Sequence, residues 1–259
     1  MTDQSAPAVL YEVKDGIAFI TINRPERRNA MNAAVADAFI DIWPRFEADP
    51  AVKVGLLQAA GDDFCVGYDL APDNVRPRPF HLHSAYPRHG VDVFKPLVAA
   101  MQGYVLGAGY AFGIRGADIS IAADTAIIGF PEARAGLAMP PIDYLPYMPF
   151  KASLEFMLLA WKGGEFQTAQ RAYELGLINK VVPESELQAE ALRYCELLKR
   201  IPPLYTKAIK RGHYKAIKPE FLAREMEFLE FIYPQEISED KDEAARAFRE
   251  KREPNFTGR

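Results

Sequence analysis

The 259-residue sequence predicts an α/β fold. Apolar runs of strand length alternate with helix-period segments twice in the first half, and glycine-bearing turns follow the strands rather than interrupt them. Hydrophobic residues make up 49% of the chain, enough to bury a sizeable core.

The first unit begins with "IAFITINRP" (residues 17–25), which alternates apolar residues in strand fashion and ends in a turn. Asn32 can cap a helix over 33–48 that places Val35, Phe39, Ile42 and Phe46 on one face, with Pro44 as a potential kink. "VKVGLLQA" (52–59) then reads as a buried strand. A second unit follows: a strand at "LVAAMQ" (97–102), a glycine-rich stretch running into a helix, and a strand at "DISIAA" (118–123). From about residue 153 the texture turns helical, through "LEFMLLAW", "TAQRAYELG", "ESELQAEALRYCELLKRI", "LYTKAIKRGHYKAI" and "EFLAREMEFLEFIY". This divides the chain into an α/β core over 1–195 and a helical region over 196–259. Between the two units, residues 71–90 are rich in proline and hold three of the four histidines, so a long loop is expected there.

The net charge of −4 gives no basic excess for nucleic acid. Cys65 and Cys195 are the two cysteines, far apart and without metal-knuckle spacing, which suits a reducing cytoplasm. No export signal is read at the N-terminus, and no apolar run approaches the ~18 residues that a membrane span requires. His81 and His83 have a spacing that could ligate a metal from a strand, but no further ligand adjoins them, so no metal is expected.

"GYVLGAGYAFGIRG" (103–116) asks for a backbone unusually bare of side chains. A dinucleotide fingerprint fails, because Phe112 stands where the third glycine belongs. Two readings remain: close packing of a helix on the sheet, and a helix start that offers N–H groups to an oxygen. A second glycine-bearing turn, "DDFCVGYDL" (62–70), also follows a buried strand. Two such turns are what an oxyanion hole requires.

The chain resembles the enoyl-CoA hydratase/isomerase family, also called the crotonase family. The resemblance rests on "INRPERRNAMN", "DDFCVGYDL", "KPLVAAMQGYVLGAGYAFG", "ADISIAADTAIIGFPEARAGL", "AYELGLINKVVP" and "KREPNFTGR", in this order. It implies a crotonase-like spiral of strand-strand-helix units, then helices that assemble a homotrimer or a dimer of trimers. The implied ligand is an acyl thioester of coenzyme A, with no other cofactor. Its carbonyl would accept N–H bonds from Val66 and Ala108, and Glu132 would be the general acid/base, with burial raising its pKa. Substrate-lining positions implied by the family register are Cys65, Gly67, Tyr68, Asp69, Gly107, Gly109, Ala111, Phe112, Pro131, Met139 and Pro140. Arg24, Arg27, Arg28, Lys251 and Phe256 fall where the family approaches the coenzyme. Tyr68, Phe94, Tyr144 and Tyr147 could make the acyl pocket aromatic, and His81, His83 or His89 could line it.

Two departures bear on the reaction. Hydratases of the family carry an earlier glutamate, whose place is taken by Ala111 counting from Gly107, or by Phe112 counting back from Asp118, because this helix has one extra residue. The family's glycine-rich turn after "GL" is replaced by Pro140 and Pro141, and proline has no N–H to hold a water. Both favour an enoyl-CoA isomerase slightly over a hydratase. The alternatives are an aromatic enoyl-CoA hydratase or lyase, and a non-catalytic acyl-CoA-binding protein.

Overall fold

A computed structural model of the chain describes residues 6–69, 85–87, 92–134, 148–217 and 237–257. Its strands are β1 (Val9–Lys14), β2 (Ile17–Ile22), β3 (Val54–Ala59), β4 (Leu97–Met101), β5 (Tyr104–Leu106), β6 (Ile119–Ala123), β7 (Ile127–Gly129), β8 (Gln167–Thr168) and β9 (Lys180–Val182). Its helices are α1 (Ala33–Ala48), the single turn α2 (Ala108–Tyr110), α3 (Phe150–Leu159), α4 (Ala169–Glu174), α5 (Leu187–Leu198), α6 (Pro203–Ile217) and α7 (Glu239–Glu250). No described helix is long and apolar enough to cross a membrane.

Contacts group the chain into two compact units, Met1–Ile128 with Thr168–Lys215, and Gly129–Gln167 with Ala216–Arg259. This differs from a single cut at residue 195. The physical reason is α5, which spans that point and buries Leu187, Ala191 and Cys195 while packing on β3, β4 and β6.

In the first unit the main sheet runs β1-β2-β3-β4-β6-β9. β1 pairs antiparallel with β2, and every later pair is parallel. All five residues of β4 are buried, as a central parallel strand covered on both faces requires. A smaller sheet has the order β5-β7-β8.

Helix α1 starts where expected, with the Asn32 side chain accepting from the Val35 N–H at 3.1 Å. It runs through Pro44 without ending, because Phe39, Trp43 and Phe46 are fully buried on both sides of the proline. β1 and the short β5, β7, β8 and β9 were not apparent from apolar runs. Neither was α7, whose Ser238 cap accepts from the Lys241 N–H.

In the second unit Phe130 packs its ring 6.0 Å from that of Phe156 in α3, and the Phe130 N–H donates to the Ala160 carbonyl. Arg134 pairs with Glu253 and lies 4.7 Å over the Trp161 ring. The helix expected over 220–233 lies outside the described residues.

Burial beneath α5 pushes the Cys195 thiol up to about 12, with Glu196 adding to the shift. Below that value the group stays a neutral thiol, so at pH 8 there is almost no thiolate to react. Cys65 is buried too. Titration with DTNB at pH 8 is therefore expected to find no fast-reacting thiol in the native protein and both cysteines after unfolding in guanidinium.

Candidate active site

The two glycine-bearing turns lie side by side because their approach segments are paired. The Phe64 N–H donates to the Gln102 carbonyl at 2.8 Å, Cys65 to Tyr104 at 3.0 Å, and Leu106 back to Cys65 at 2.9 Å. Gly109 then brings the helix start against the other turn: a Cβ there would sit 2.6 Å from the Cys65 carbonyl oxygen. Gly107 has φ +50°, a conformation that favours glycine. Close packing and a helix start with outward N–H groups are thus both realised, and the first produces the second.

Peptide-plane geometry identifies which N–H groups face outward. In a trans peptide the C=O and the following N–H point in opposite directions. The Gly107 carbonyl accepts from Ala111 at 3.1 Å, so the Ala108 N–H points out of the helix N-terminus. The Val66 N–H, expected as the second donor, instead points at the Arg28 carbonyl, 3.3 Å away. The Gly67 carbonyl accepts from Met31 at 2.8 Å, which turns the next N–H, that of Tyr68, away from Met31. The outward-turned N–H of this turn therefore lies two residues on from the expected Val66, at Tyr68. Its signal was Gly67, whose φ of +99° reorients the chain between them.

After α2 the chain continues as a π-helix, Ala111–Gly116. A π-turn accommodates one residue more than an α-turn, so the extra residue is absorbed there. The register counted from Gly107 holds as far as Ala111, which is buried at the start of the π-turn. Phe112 is fully buried between the rings of Phe39 (4.4 Å) and Tyr86 (4.6 Å), so it braces the wall behind the site instead of lining it.

Tyr68 is half-buried, and its hydroxyl lies 2.8 Å from that of Tyr86, which also lies 3.0 Å from Met31 Sδ. Burial holds the Tyr86 phenol well above its usual pKa, so it stays protonated. Phe94, expected in the acyl pocket, instead stacks on Tyr214 at 5.9 Å beneath Arg211. Cys65 is buried and serves the site through its backbone.

The three arginines of the first turn are braced by acids. Arg24 and Arg27 bond opposite oxygens of Asp69, at 3.1 and 3.0 Å, and Arg28 bonds Asp63 at 2.6 Å while lying 4.6 Å over Tyr104. Arg24 is mostly buried, whereas Arg27 and Arg28 are half-exposed. Arg28 and Asn29 are both left-handed, and the buried Asn29 side chain holds this turn. It accepts from the Arg24 N–H at 2.8 Å and donates to the Ala60 and Asp63 carbonyls at 2.7 Å each.

In the second unit, Pro131 opens the 3-10 turn Pro131–Ala133, which holds Glu132 with 4% of its surface exposed. Lys251 ends α7 in a left-handed conformation, and Phe256 is exposed. Met139, Pro140, Pro141, His81, His83, His89, Tyr144 and Tyr147 lie outside the described residues.

Residues 12–259 match the family model described as enoyl-CoA hydratase/isomerase. The chain belongs to the enoyl-CoA hydratase/isomerase family. It is 30% identical to enoyl-CoA hydratase EchA19 of Mycobacterium tuberculosis, over 100% of this chain and 99% of that protein. It is 31% identical to (E)-benzylidenesuccinyl-CoA hydratase of Thauera aromatica, over 96% of this chain and 99% of that protein. Among solved structures, EchA1_1 of Mycobacterium paratuberculosis superposes with a TM-score of 0.86 at 32% identity, covering 98% of this chain and all of the other. The fold is therefore the crotonase fold, and the family acts on acyl thioesters of coenzyme A.

Two substitutions test the architecture. Asn29→Ala leaves a part-buried N–H, a part-buried carbonyl and the buried Asp63 carbonyl without their partner and is expected to destabilise the protein by about 2–4 kcal/mol in chemical denaturation. Gly109→Ala must push the helix start off the Cys65 carbonyl. It should cost roughly 1–3 kcal/mol in the same measurement and lower turnover at least tenfold, since the donor turns separate.

Proposed function

We propose that this chain catalyses hydration of 2-enoyl thioesters of coenzyme A, and the reverse dehydration, through a thioester enolate. The observation that carries the reading is the pair of N–H groups, from Tyr68 and Ala108, that two touching turns direct outward. Aimed at a thioester oxygen, each such donor is worth roughly 3 kcal/mol of barrier. The helix start adds the positive end of its dipole. In the forward direction a water oxygen bonds to C3, the C2–C3 π pair shifts toward C1, and the carbonyl pair moves onto the oxygen held by the two donors. Glu132 takes the proton from the water and returns one to C2. Protons and water are all that move, so the proposal includes no redox group or metal.

Support for hydration comes from the relatives named above, which are hydratases. A second reading, isomerisation of a double bond between C2 and C3, is favoured by Ala111, because one carboxylate suffices to carry a proton between C2 and C4. For Arg27 and Arg28 we propose contacts with the coenzyme phosphates through the N–H groups not turned to Asp69 and Asp63, with Arg24 as their brace. Lys251 and Phe256 are proposed to meet the coenzyme as well. We further propose a homotrimer or a dimer of trimers, for which the exposed Phe150 and Leu158 of α3 and Leu204 of α6 supply apolar surface.

Glu132→Gln keeps the shape and removes the proton carrier. Turnover of crotonyl-CoA is expected to fall about 10²–10⁴-fold. Mass spectrometry separates the readings: gain of one water marks hydration, and a change in ultraviolet absorbance without mass change marks isomerisation. Unchanged turnover in the variant would remove Glu132 from the mechanism.

A further inference from the structure

We infer that Arg134 is a positioning residue for Glu132: laid over the Trp161 ring, it fixes the far end of the turn that carries the proton-transferring carboxylate. The inference rests on the acyl-CoA reading above, and every residue it uses belongs to the second unit.

The turn is too short to hold Glu132 by itself. Pro131–Ala133 is one turn of 3-10 helix, closed by the Arg134 N–H on the Pro131 carbonyl at 3.0 Å, and such turns have poor hydrogen-bond geometry. Pro131 has no N–H to add to it. The placement of the buried Glu132 therefore depends on the two residues that flank the turn, Phe130 and Arg134. Both grip the same segment, residues 156–161 at the end of α3. Phe130 donates its N–H to the Ala160 carbonyl and sets its ring 6.0 Å from that of Phe156. Arg134 sets its guanidinium 4.7 Å over the ring of Trp161, the residue after Ala160. Glu132 is thus suspended between an apolar anchor and a cationic one.

The platform under Arg134 is itself fixed by its own loop. The Trp161 indole N–H donates to the Leu158 carbonyl at 3.1 Å, and the Gly164 N–H donates to the Trp161 carbonyl at 2.9 Å. Gly163 and Gly164 pack against the ring: a Cβ at Gly164 would come 3.1 Å from the indole and collide with the Leu159 carbonyl, and Gly163 has φ +93°. Tryptophan offers the best ring face to a cation, and a planar guanidinium stacks on it as an ammonium does not. Glu253 pairs with the same guanidinium. At 84% exposure its side chain adds little stability, so the pair serves to orient Arg134 on the ring.

The test asks whether Arg134 acts through Glu132. Deuterium uptake at C2 of butyryl-CoA in D2O follows proton transfer by the base, whether the enzyme hydrates or isomerises. Arg134→Ala is expected to lower the maximal exchange rate ~10- to 100-fold, as a base misplaced by about an ångström does, with half-saturation within about twofold of wild type. Arg134→Lys keeps a cation over the ring and should recover part of the rate. In a Glu132→Gln background the Arg134→Ala change should cost less than about threefold, because a misplaced glutamine has no proton transfer to lose. Equal losses in the two backgrounds, a raised half-saturation at unchanged maximal rate, no recovery in Arg134→Lys, or no loss in Arg134→Ala overturns the inference. Melting curves identify the folded variants, and Arg134→Gln, closer in bulk, replaces Arg134→Ala if the latter melts below the assay temperature. Wild-type exchange that Glu132→Gln leaves unchanged also overturns the inference, while the acyl-CoA reading stands. A wild type that neither exchanges at C2 of butyryl-CoA nor adds water to crotonyl-CoA refutes that reading itself.

Discussion

The contact on which the site depends is the approach of Gly109 to the carbonyl of Cys65. A backbone-to-backbone approach this close is open only to glycine, and it is held by the hydrogen bonds that tie residues 64 and 65 to the segment 102–106. A strand edge thereby becomes the floor of a site. Once the two segments are paired, the turns that end them are forced together, and their outward N–H groups need no side chain to aim them. Preorganisation of this kind is why backbone donors serve well where charge develops: they do not have to reorient during the reaction.

Charge is arranged to protect that floor. Asp63 takes Arg28 on one oxygen and the Tyr104 N–H on the other, so one carboxylate binds the arginine turn to the start of β5. Asp69 takes Arg24 and Arg27, while its own N–H donates to Met31. Each acid thus joins an arginine to the backbone of a donor turn. The exposed partners contribute little stability on their own, as exposed ion pairs do. Their effect is geometric: the basic turn that would meet a polyphosphate is fixed to the turn that would meet the thioester.

Much of this was legible in the sequence, and the reasons differ by element. Helix α1 and strands β2, β3, β4 and β6 were readable because long apolar periodicities leave little choice. The short strands β5, β7, β8 and β9 were not, since two or three residues carry no period and their pairing is decided by tertiary contacts. The two turns of the candidate site were visible as types of residue in order. Which N–H of the first turn faces outward was not, because it depends on how Gly67 rotates one peptide plane. The ambiguity between Ala111 and Phe112 could be stated but not resolved from spacing, because a π-helix absorbs an insertion without a sequence mark.

The inserted turn also lies against a layer of rings. Position 111 is buried, and the next residue lies in an aromatic layer formed by Trp43, Phe39, Phe112 and Tyr86. That layer holds a charge as well: the buried Arg115, four residues on from Ala111, lies 5.6 Å over the Tyr86 ring, whose negative face attracts the guanidinium. A phenol in the same wall buries mostly ring, keeps its proton, and needs only one or two polar neighbours. Tyr86 has them in Tyr68 and Met31. The layer beside Ala111 thus combines rings with a protonated phenol and a buried guanidinium, and each suits the others: ring faces receive the cation, and the phenol needs no charge to stay buried.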